Sequence, residues 1–142
     1  RITNQGYVLK PKNPVFDAVR TSGSLSGNGL EIVFNSTLTN VGGHYNTSNG
    51  RFTAPIAGTY FFSMFGMYNG GLAWYNFRKN GITITPAHGT YQTNGSDWSS
   101  VGMSICITLA ANDTLSVFLA PTNTGIYGSG NNHNGFCGYL IG

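Results

Sequence analysis

Apolar and polar residues alternate along most of this chain with the period of two that is typical of β-strands. Residues 30–35, LEIVFN, place Leu30, Ile32 and Phe34 on one side of an extended segment. Residues 101–109, VGMSICITL, alternate large apolar residues with Gly, Ser, Cys and Thr. No window carries a helical period of useful length, so the pattern predicts an all-β protein.

Tight turns separate the alternating segments at short intervals. Asn49-Gly50 and Asn80-Gly81 are dipeptides that favour hairpin turns. Further short strands are predicted in PVFDAVR (residues 14–20), TLSVFLA (114–120) and NGFCGYLIG (134–142). Many short strands joined by regular turns are typical of a β-sandwich or a jelly roll.

The segment TYFFSMFGMY, residues 59–68, departs from simple alternation because both of its faces are apolar. The faces carry Tyr60, Phe62 and Met64 on one side and Phe61, Phe65 and Met67 on the other. One face fills a sandwich core, whereas the other requires a second apolar surface, for which another subunit is the natural candidate. We therefore expect Phe61, Phe65 and Met67 to lie in a subunit interface.

The charge content limits the choice of partners. Only 8% of the residues are charged, and the seven basic and four acidic side chains give a net charge of +3. No stripe of Lys and Arg is interleaved with aromatic residues, which argues against nucleic-acid binding. No run of 18 apolar residues occurs, so no membrane insertion is expected.

Catalytic and metal-binding patterns are missing from the sequence. A glycoside hydrolase needs two positioned carboxylates, and the acidic residues are only Asp17, Glu31, Asp97 and Asp113. There is no Gly-x-Ser-x-Gly motif, and the spacing of the histidines, which are His44, His88 and His133, suits no metal. We predict that the protein is not an enzyme and holds no metal or cofactor. A hydrolase whose two carboxylates come from distant loops stays a remote alternative.

Aromatic residues near strand ends are the better candidates for ligand binding. They are Trp74, Tyr75, Tyr91 and Trp98. Aromatic faces beside Asn and Thr suit sugars or protein surfaces, because both are recognised by stacking and neutral hydrogen bonds. The alternative is that these rings close the sandwich core.

Seven residues have the spacing of the C1q-domain signature, and the chain resembles that family. They are Phe34, Asn40, Tyr45, Phe52, Gly58, Tyr60 and Phe62, separated by five, four, six, five, one and one residues. One position differs, because Met64 stands where the signature has an aromatic residue. The segments PVFDAVR, FRKNGITI and FCGYL resemble the first strand, the central hairpin and the closing strand of the family.

The resemblance implies a ten-stranded antiparallel jelly-roll sandwich that assembles as a homotrimer and recognises partners without catalysis. It places the globular head at residues 14–142, after an extended lead-in segment at residues 1–13 that follows a missing upstream region. Some family members bind calcium at the trimer apex through acidic groups, which are scarce here.

Two settings are compatible with such a head. The low charge and the abundant Asn, Ser, Thr and Gly resemble the C1q-like domains of marine bacteriophage structural proteins. In that setting the trimer ends a fibre or another virion appendage and contacts a glycan or protein of the host surface. The alternative is a secreted animal C1q-domain lectin of innate immunity that recognises glycans or microbial surfaces.

The two cysteines, Cys106 and Cys137, are expected to be unpaired in a C1q-like fold. In that arrangement the strand at residues 59–68 runs between their strands, so their backbones lie about 9.6 Å apart. A disulfide requires Cα atoms within about 7 Å. We therefore expect two free and largely buried thiols.

Overall fold

The computed structural model describes residues 12–27, 29–85, 89–121, 123–128 and 133–142, with only the backbone at residues 27, 89–94, 96, 123 and 124. Within these residues the chain is all β. Its strands are β1 (Val15–Val19), β2 (Leu25–Gly27), β3 (Leu30–Glu31), β4 (Ser36–Val41), β5 (Tyr45–Asn46), β6 (Arg51–Thr53), β7 (Gly58–Lys79), β8 (Ile82–Thr83), β9 (Gly89–Leu109), β10 (Thr114–Leu119), β11 (Asn123–Ile126) and β12 (Gly135–Leu140).

The predicted count of ten strands is not confirmed, since the described residues form twelve segments of very unequal length. Residues 30–35 were expected to form one strand, but only Leu30 and Glu31 pair as one. Ile32 and Phe34 are nevertheless buried as the alternation predicts. Most of the expected lead-in segment, residues 1–11, lies outside the described residues.

One long antiparallel hairpin, made of β7 and β9, organises the fold. Its register runs from Gly58 opposite Leu109 to Asn76 opposite Gly89. The register shifts between Asn69 and Gly71, where Gly70 and its successor have φ of 63° and 72°. Before this bend β7 pairs with β12, and after it β7 pairs with β10. The hairpin therefore belongs to two layers.

These layers pack face to face as a jelly-roll sandwich. Layer A contains, in order, β4, β1, β12, residues 58–69 of β7 and residues 98–109 of β9. Layer B contains β5, β6, β10, residues 71–79 of β7 and residues 89–94 of β9, with β3 beside β10 and β8 beside β7. A separate ribbon of β2 and β11 lies next to the bend, where the amide of Tyr127 donates to the carbonyl of Met67 at 2.8 Å.

Aromatic rings from both layers fill the space between them. Phe16 of layer A stacks on Tyr45 and Phe52 of layer B, with ring centroids 4.8 and 5.3 Å apart. Phe136 meets the Phe16 ring edge-on at 4.9 Å. Offset and edge-on contacts of this kind add to the free energy gained by burying the rings.

Tyr45 ties the loops at one edge of the core together. Its hydroxyl accepts a hydrogen bond from the amide of Phe34 and donates one to the carbonyl of the same residue, at 3.1 and 3.2 Å. Its own backbone is held by the Asn40 side chain through two further hydrogen bonds. Burial raises the pKa of this phenol. These contacts explain physically why Phe34, Asn40 and Tyr45 belong to one signature.

The hairpin turn predicted at Asn80-Gly81 is present and has the positive φ angles of a type I′ turn at both residues, 51° and 79°. The Asp113 carboxylate holds this turn in place. It accepts a hydrogen bond from the side-chain amide of Asn80 and forms an ion pair with Lys79, both at 2.8 Å. These contacts lower the pKa of Asp113 to about 2, and the contact with Lys79 has the largest effect.

We predict that Phe16→Ala lowers the free energy of unfolding by about 3–5 kcal/mol, because it leaves a cavity between the layers. The control is Leu38→Ala, since Leu38 is 66% exposed whereas Phe16 is 1% exposed. The control is expected to change stability by no more than about 0.5 kcal/mol. Denaturant unfolding at one protein concentration measures both, and equal losses would contradict this packing.

Candidate functional site

The structure separates the four aromatic residues that the sequence suggested as a binding set. Trp74 is 41% exposed in layer B, and Trp98 is 44% exposed at the bend of the long hairpin. Tyr75 is fully buried, which agrees with the alternative that its ring closes the core. The backbone of Tyr91 pairs with that of Trp74, but its side chain lies outside the described part of the structure.

A pocket of about 270 Å³ lies at the bend and contains only one of these residues, Trp98. We call it the Trp98 pocket. The residues that line it are Ser24, Tyr68, Asn69, Trp98, Gly125, Ile126 and Tyr127. They come from the bend, from the end of β11 and from the segment before β2. The pocket thus exists because the hairpin turns from one layer into the other at this point.

Neighbouring aromatic side chains hold Trp98 in place. The Tyr127 ring meets the Trp98 ring at 74°, with centroids 4.7 Å apart, and the His133 ring lies 6.1 Å from the Tyr127 ring. The carbonyl of Tyr127 accepts a hydrogen bond from the side chain of Asn134, which is itself fully buried. Trp98 is therefore a positioned ring that keeps much of its surface exposed.

Two buried tyrosines near the pocket differ in how their hydroxyl groups are satisfied. The Tyr75 hydroxyl donates to the carbonyl of Gly125 at 2.6 Å. Burial, and to a smaller extent the nearby Tyr68, raise the pKa of Tyr75. The Tyr68 hydroxyl is buried as well, yet it has no hydrogen-bond partner in the described structure. A buried and unsatisfied hydroxyl of this kind costs free energy, and few occur in folded proteins.

The charged residues mostly support the fold. Glu31 pairs with Arg51 at 2.8 Å and accepts a hydrogen bond from Ser116, and Arg78 lies 3.0 Å above the centre of the Phe118 ring. Among the described residues no group of acidic, His and Cys side chains is arranged to hold a metal ion. In the same part of the chain, no helix has the length and apolar character needed to cross a membrane.

The outer face of layer A is the second candidate surface. Phe65 is 54% and Tyr139 is 45% exposed, and Tyr139 contacts Phe61 with ring centroids 5.4 Å apart. Phe61 and Met67 are half-buried. We call Phe61, Phe65, Met67 and Tyr139 the outer aromatic face. Tyr139 was not expected there, although its alternation with Phe136 and Gly138 in β12 could have indicated it.

Both cysteines lie on this same face and are free. Cys106 is opposite Phe61 and Cys137 is opposite Ser63, on the two sides of β7. The predicted strand order and the free thiols are thus confirmed. The prediction that both thiols are largely buried is wrong, because Cys106 is exposed and Cys137 is half-buried. Both side chains point away from the core, because the residues next to each cysteine in its strand point into the core.

The geometry so far defines an all-β jelly roll without an evident catalytic centre in its described residues. The C1q domain family matches residues 15–141, and the chain belongs to that family. This confirms the resemblance that the signature spacing indicated.

Named relatives share part of their length with this chain. Complement C1q tumor necrosis factor-related protein 3 of Mus musculus is 30% identical over 112 residues, which make up 78% of this chain and 44% of that protein. The collagen alpha-1(X) chain of Mus musculus is 32% identical over 114 residues, 80% of this chain and 16% of the relative. The chain therefore spans less than half the length of these curated relatives.

A solved structure shows the same fold. The globular domain of zebrafish complement 1qA protein superposes with a TM-score of 0.71, covering 92% of this chain and 98% of that one. The sequence identity is 19%, so the likeness concerns the fold alone.

We predict opposite behaviour for two matched removals of a hydroxyl group. Tyr75→Phe loses a buried hydrogen bond and is expected to lower the free energy of unfolding by about 0.5–1.5 kcal/mol. Tyr68→Phe removes an unsatisfied buried hydroxyl and is expected to leave stability unchanged or to raise it. Denaturant unfolding measures both variants, and a clear loss for Tyr68→Phe would show that its hydroxyl is already satisfied.

Proposed function

We propose that this chain is the non-enzymatic recognition head of an extracellular protein, and that three copies assemble through the outer aromatic face of layer A. The observation that carries the proposal is the strand β7, which has apolar side chains on both of its faces. Membership of the C1q domain family supports a trimer as the form that covers the second face.

The local geometry of Phe65 supports its role as a contact between subunits. Its register neighbours are glycines, Gly135 on β12 and Gly102 on β9. A Cβ at position 135 would lie 2.5 Å from the Phe65 ring, so the ring rests directly over the glycine backbone. Its other side has no cover among the described residues, where Phe65 is 54% exposed. Fully burying a side chain of this size is worth about 1.5–3 kcal/mol.

An extracellular setting draws support from the named relatives, which are a complement C1q tumor necrosis factor-related protein and a collagen chain. They favour the secreted alternative over the virion appendage, whose support is the composition of the chain. Both settings use the domain as a recognition head, and the family relationship supports recognition rather than catalysis. The ligand of such a head is expected to be a glycan or a protein on another surface.

We predict that Phe65→Asp converts the trimer into folded monomers. A carboxylate buried between subunits without a partner is strongly unfavourable, but the same carboxylate on a single chain stays in water because Phe65 is 54% exposed there. The matched control is Ile82→Asp, since Ile82 is 73% exposed but lies on β8, beside layer B. Size-exclusion chromatography with light scattering measures the mass of each variant.

The result that would contradict the interface is a Phe65→Asp protein that keeps the mass of the wild type. Dissociation of the Ile82→Asp control would place the interface on layer B instead.

We also predict that assembly protects Cys106 from thiol reagents. This thiol is exposed on the single chain but lies beside Phe61 on the proposed interface. Cys137 is expected to react slowly in every variant. Burial raises the pKa of its thiol most, and the Asp17 carboxylate opposite it raises this pKa further. Less of the thiol is then present as the thiolate, which is the reactive form. Rapid labelling of Cys106 should therefore occur in Phe65→Asp and not in the wild type or in Ile82→Asp. Equal labelling rates in all three would argue against coverage of this face.

A further inference from the structure

We propose that the Trp98 pocket binds one uncharged sugar ring. The inference rests on the proposed function as a recognition head and names the ligand class and the site. The observation that carries it is the Trp98 indole, which is 44% exposed and lines an open pocket beside the uncharged polar residues Ser24 and Asn69.

The size of the pocket favours a small ligand. Its volume of about 270 Å³ lies at the lower limit of the cavities that hold drug-sized molecules, which run from roughly 300 to 1,000 Å³. A single pyranose ring is smaller than such a molecule. Longer saccharides would extend from the pocket into solvent, as is possible because the pocket is open at the protein surface.

Trp98 supplies the stacking surface that a sugar requires. One face of a pyranose presents C–H groups, which pack on an aromatic ring much as apolar side chains do. The indole is 44% exposed, and its contact with Tyr127 fixes its orientation. A ring that is already held in place loses little conformational entropy when a ligand stacks on it.

The polar groups around the pocket are neutral. Ser24 and Asn69 offer one hydroxyl and one amide, and none of the seven lining residues is charged. The nearest carboxylate in sequence, Asp97, accepts a hydrogen bond from the backbone amide of Trp98 at 2.7 Å. Because the lining residues include no cation, an anionic ligand would find no charged partner in the pocket. The chemistry therefore selects an uncharged, hydroxyl-rich ring.

The position of the pocket is suited to contact with another surface. The amide of Leu140 donates to the carbonyl of Pro14, and that of Thr59 donates to the carbonyl of Gly142, so Pro14 and Gly142 both lie near the start of β7. The Trp98 pocket lies at residues 69–71, about 11 residues along the same strand, or roughly 36 Å away. It thus lies at the end of layer A opposite Pro14 and Gly142.

The test uses the wild-type protein and a panel of methyl glycosides. The neutral members are the glucoside, mannoside, galactoside and N-acetylglucosaminide, and the charged member is the methyl glycoside of sialic acid. Saturation-transfer NMR identifies binders, and titration gives their Kd, which we expect on the order of 1 mM for a single ring. At least one neutral glycoside is expected to bind.

Three variants locate the site. Trp98→Ala is expected to weaken binding about tenfold through the lost stacking, and Asn69→Ala about three- to tenfold through the lost hydrogen bond from a side chain that lines the pocket. The matched control is Trp74→Ala, which removes an equally exposed indole that does not line the pocket and should leave the Kd unchanged. The chain has two Trp residues, so Trp98 is the one that remains in this control. The tryptophan fluorescence of the control therefore comes from Trp98 alone, and its emission maximum should shift when the ligand binds.

The inference is overturned if no neutral glycoside binds, if only the sialoside binds, or if Trp98→Ala binds as well as the wild type. Light scattering on the same samples separates this outcome from a failure of the proposed function. A trimer that binds no glycoside would contradict the sugar site alone, whereas a monomer would contradict the proposed assembly.

Discussion

The fold depends on a single strand, the first half of β7, whose two faces both require burial. Its inner face supplies Tyr60, Phe62 and Met64 to the core, all of them essentially inaccessible to solvent. On its outer face, Phe65 lies between Gly135 of β12 and Gly102 of β9, whereas Phe61 lies between Tyr139 of β12 and Cys106 of β9. Because β7 is an interior strand of layer A, the core and the proposed subunit contact are two sides of the same backbone.

The same strand also creates the candidate ligand site, because it continues beyond the bend into layer B. The paired glycines at the bend adopt backbone angles that other residues rarely take, and the register of the hairpin shifts there. The unsatisfied Tyr68 hydroxyl belongs to a residue just before the bend, and local costs of this kind are common at binding sites.

The sequence predicts much of this architecture from patterns with a period of two. The strand that contains Phe16, the hairpin turn at Asn80 and the apolar outer face of β7 follow from alternation and turn chemistry. The signature spacing indicated the family, and the contacts of Tyr45 with Phe34 and Asn40 show why that spacing is needed.

The remaining features depend on three-dimensional placement, which alternation does not report. The sequence gives no sign that Tyr68 lacks a hydrogen bond while Tyr75 has one, because both are tyrosines of one apolar strand. It also does not indicate that Tyr127, in a Gly-rich segment, packs against Trp98. The thiol of Cys106 was expected to be buried, but it lies on the outer face of layer A with the exposed residues Ser104 and Thr108 and is itself exposed.

Sedimentation equilibrium of the wild-type protein over a range of concentrations tests the central claim most directly. If the outer face of β7 is covered by other subunits, the mass should be three times the chain mass of 15.1 kDa and should stay constant on dilution into the micromolar range. A mass of 15.1 kDa at the same concentrations would show that the apolar outer face is stable in water, which would contradict the account.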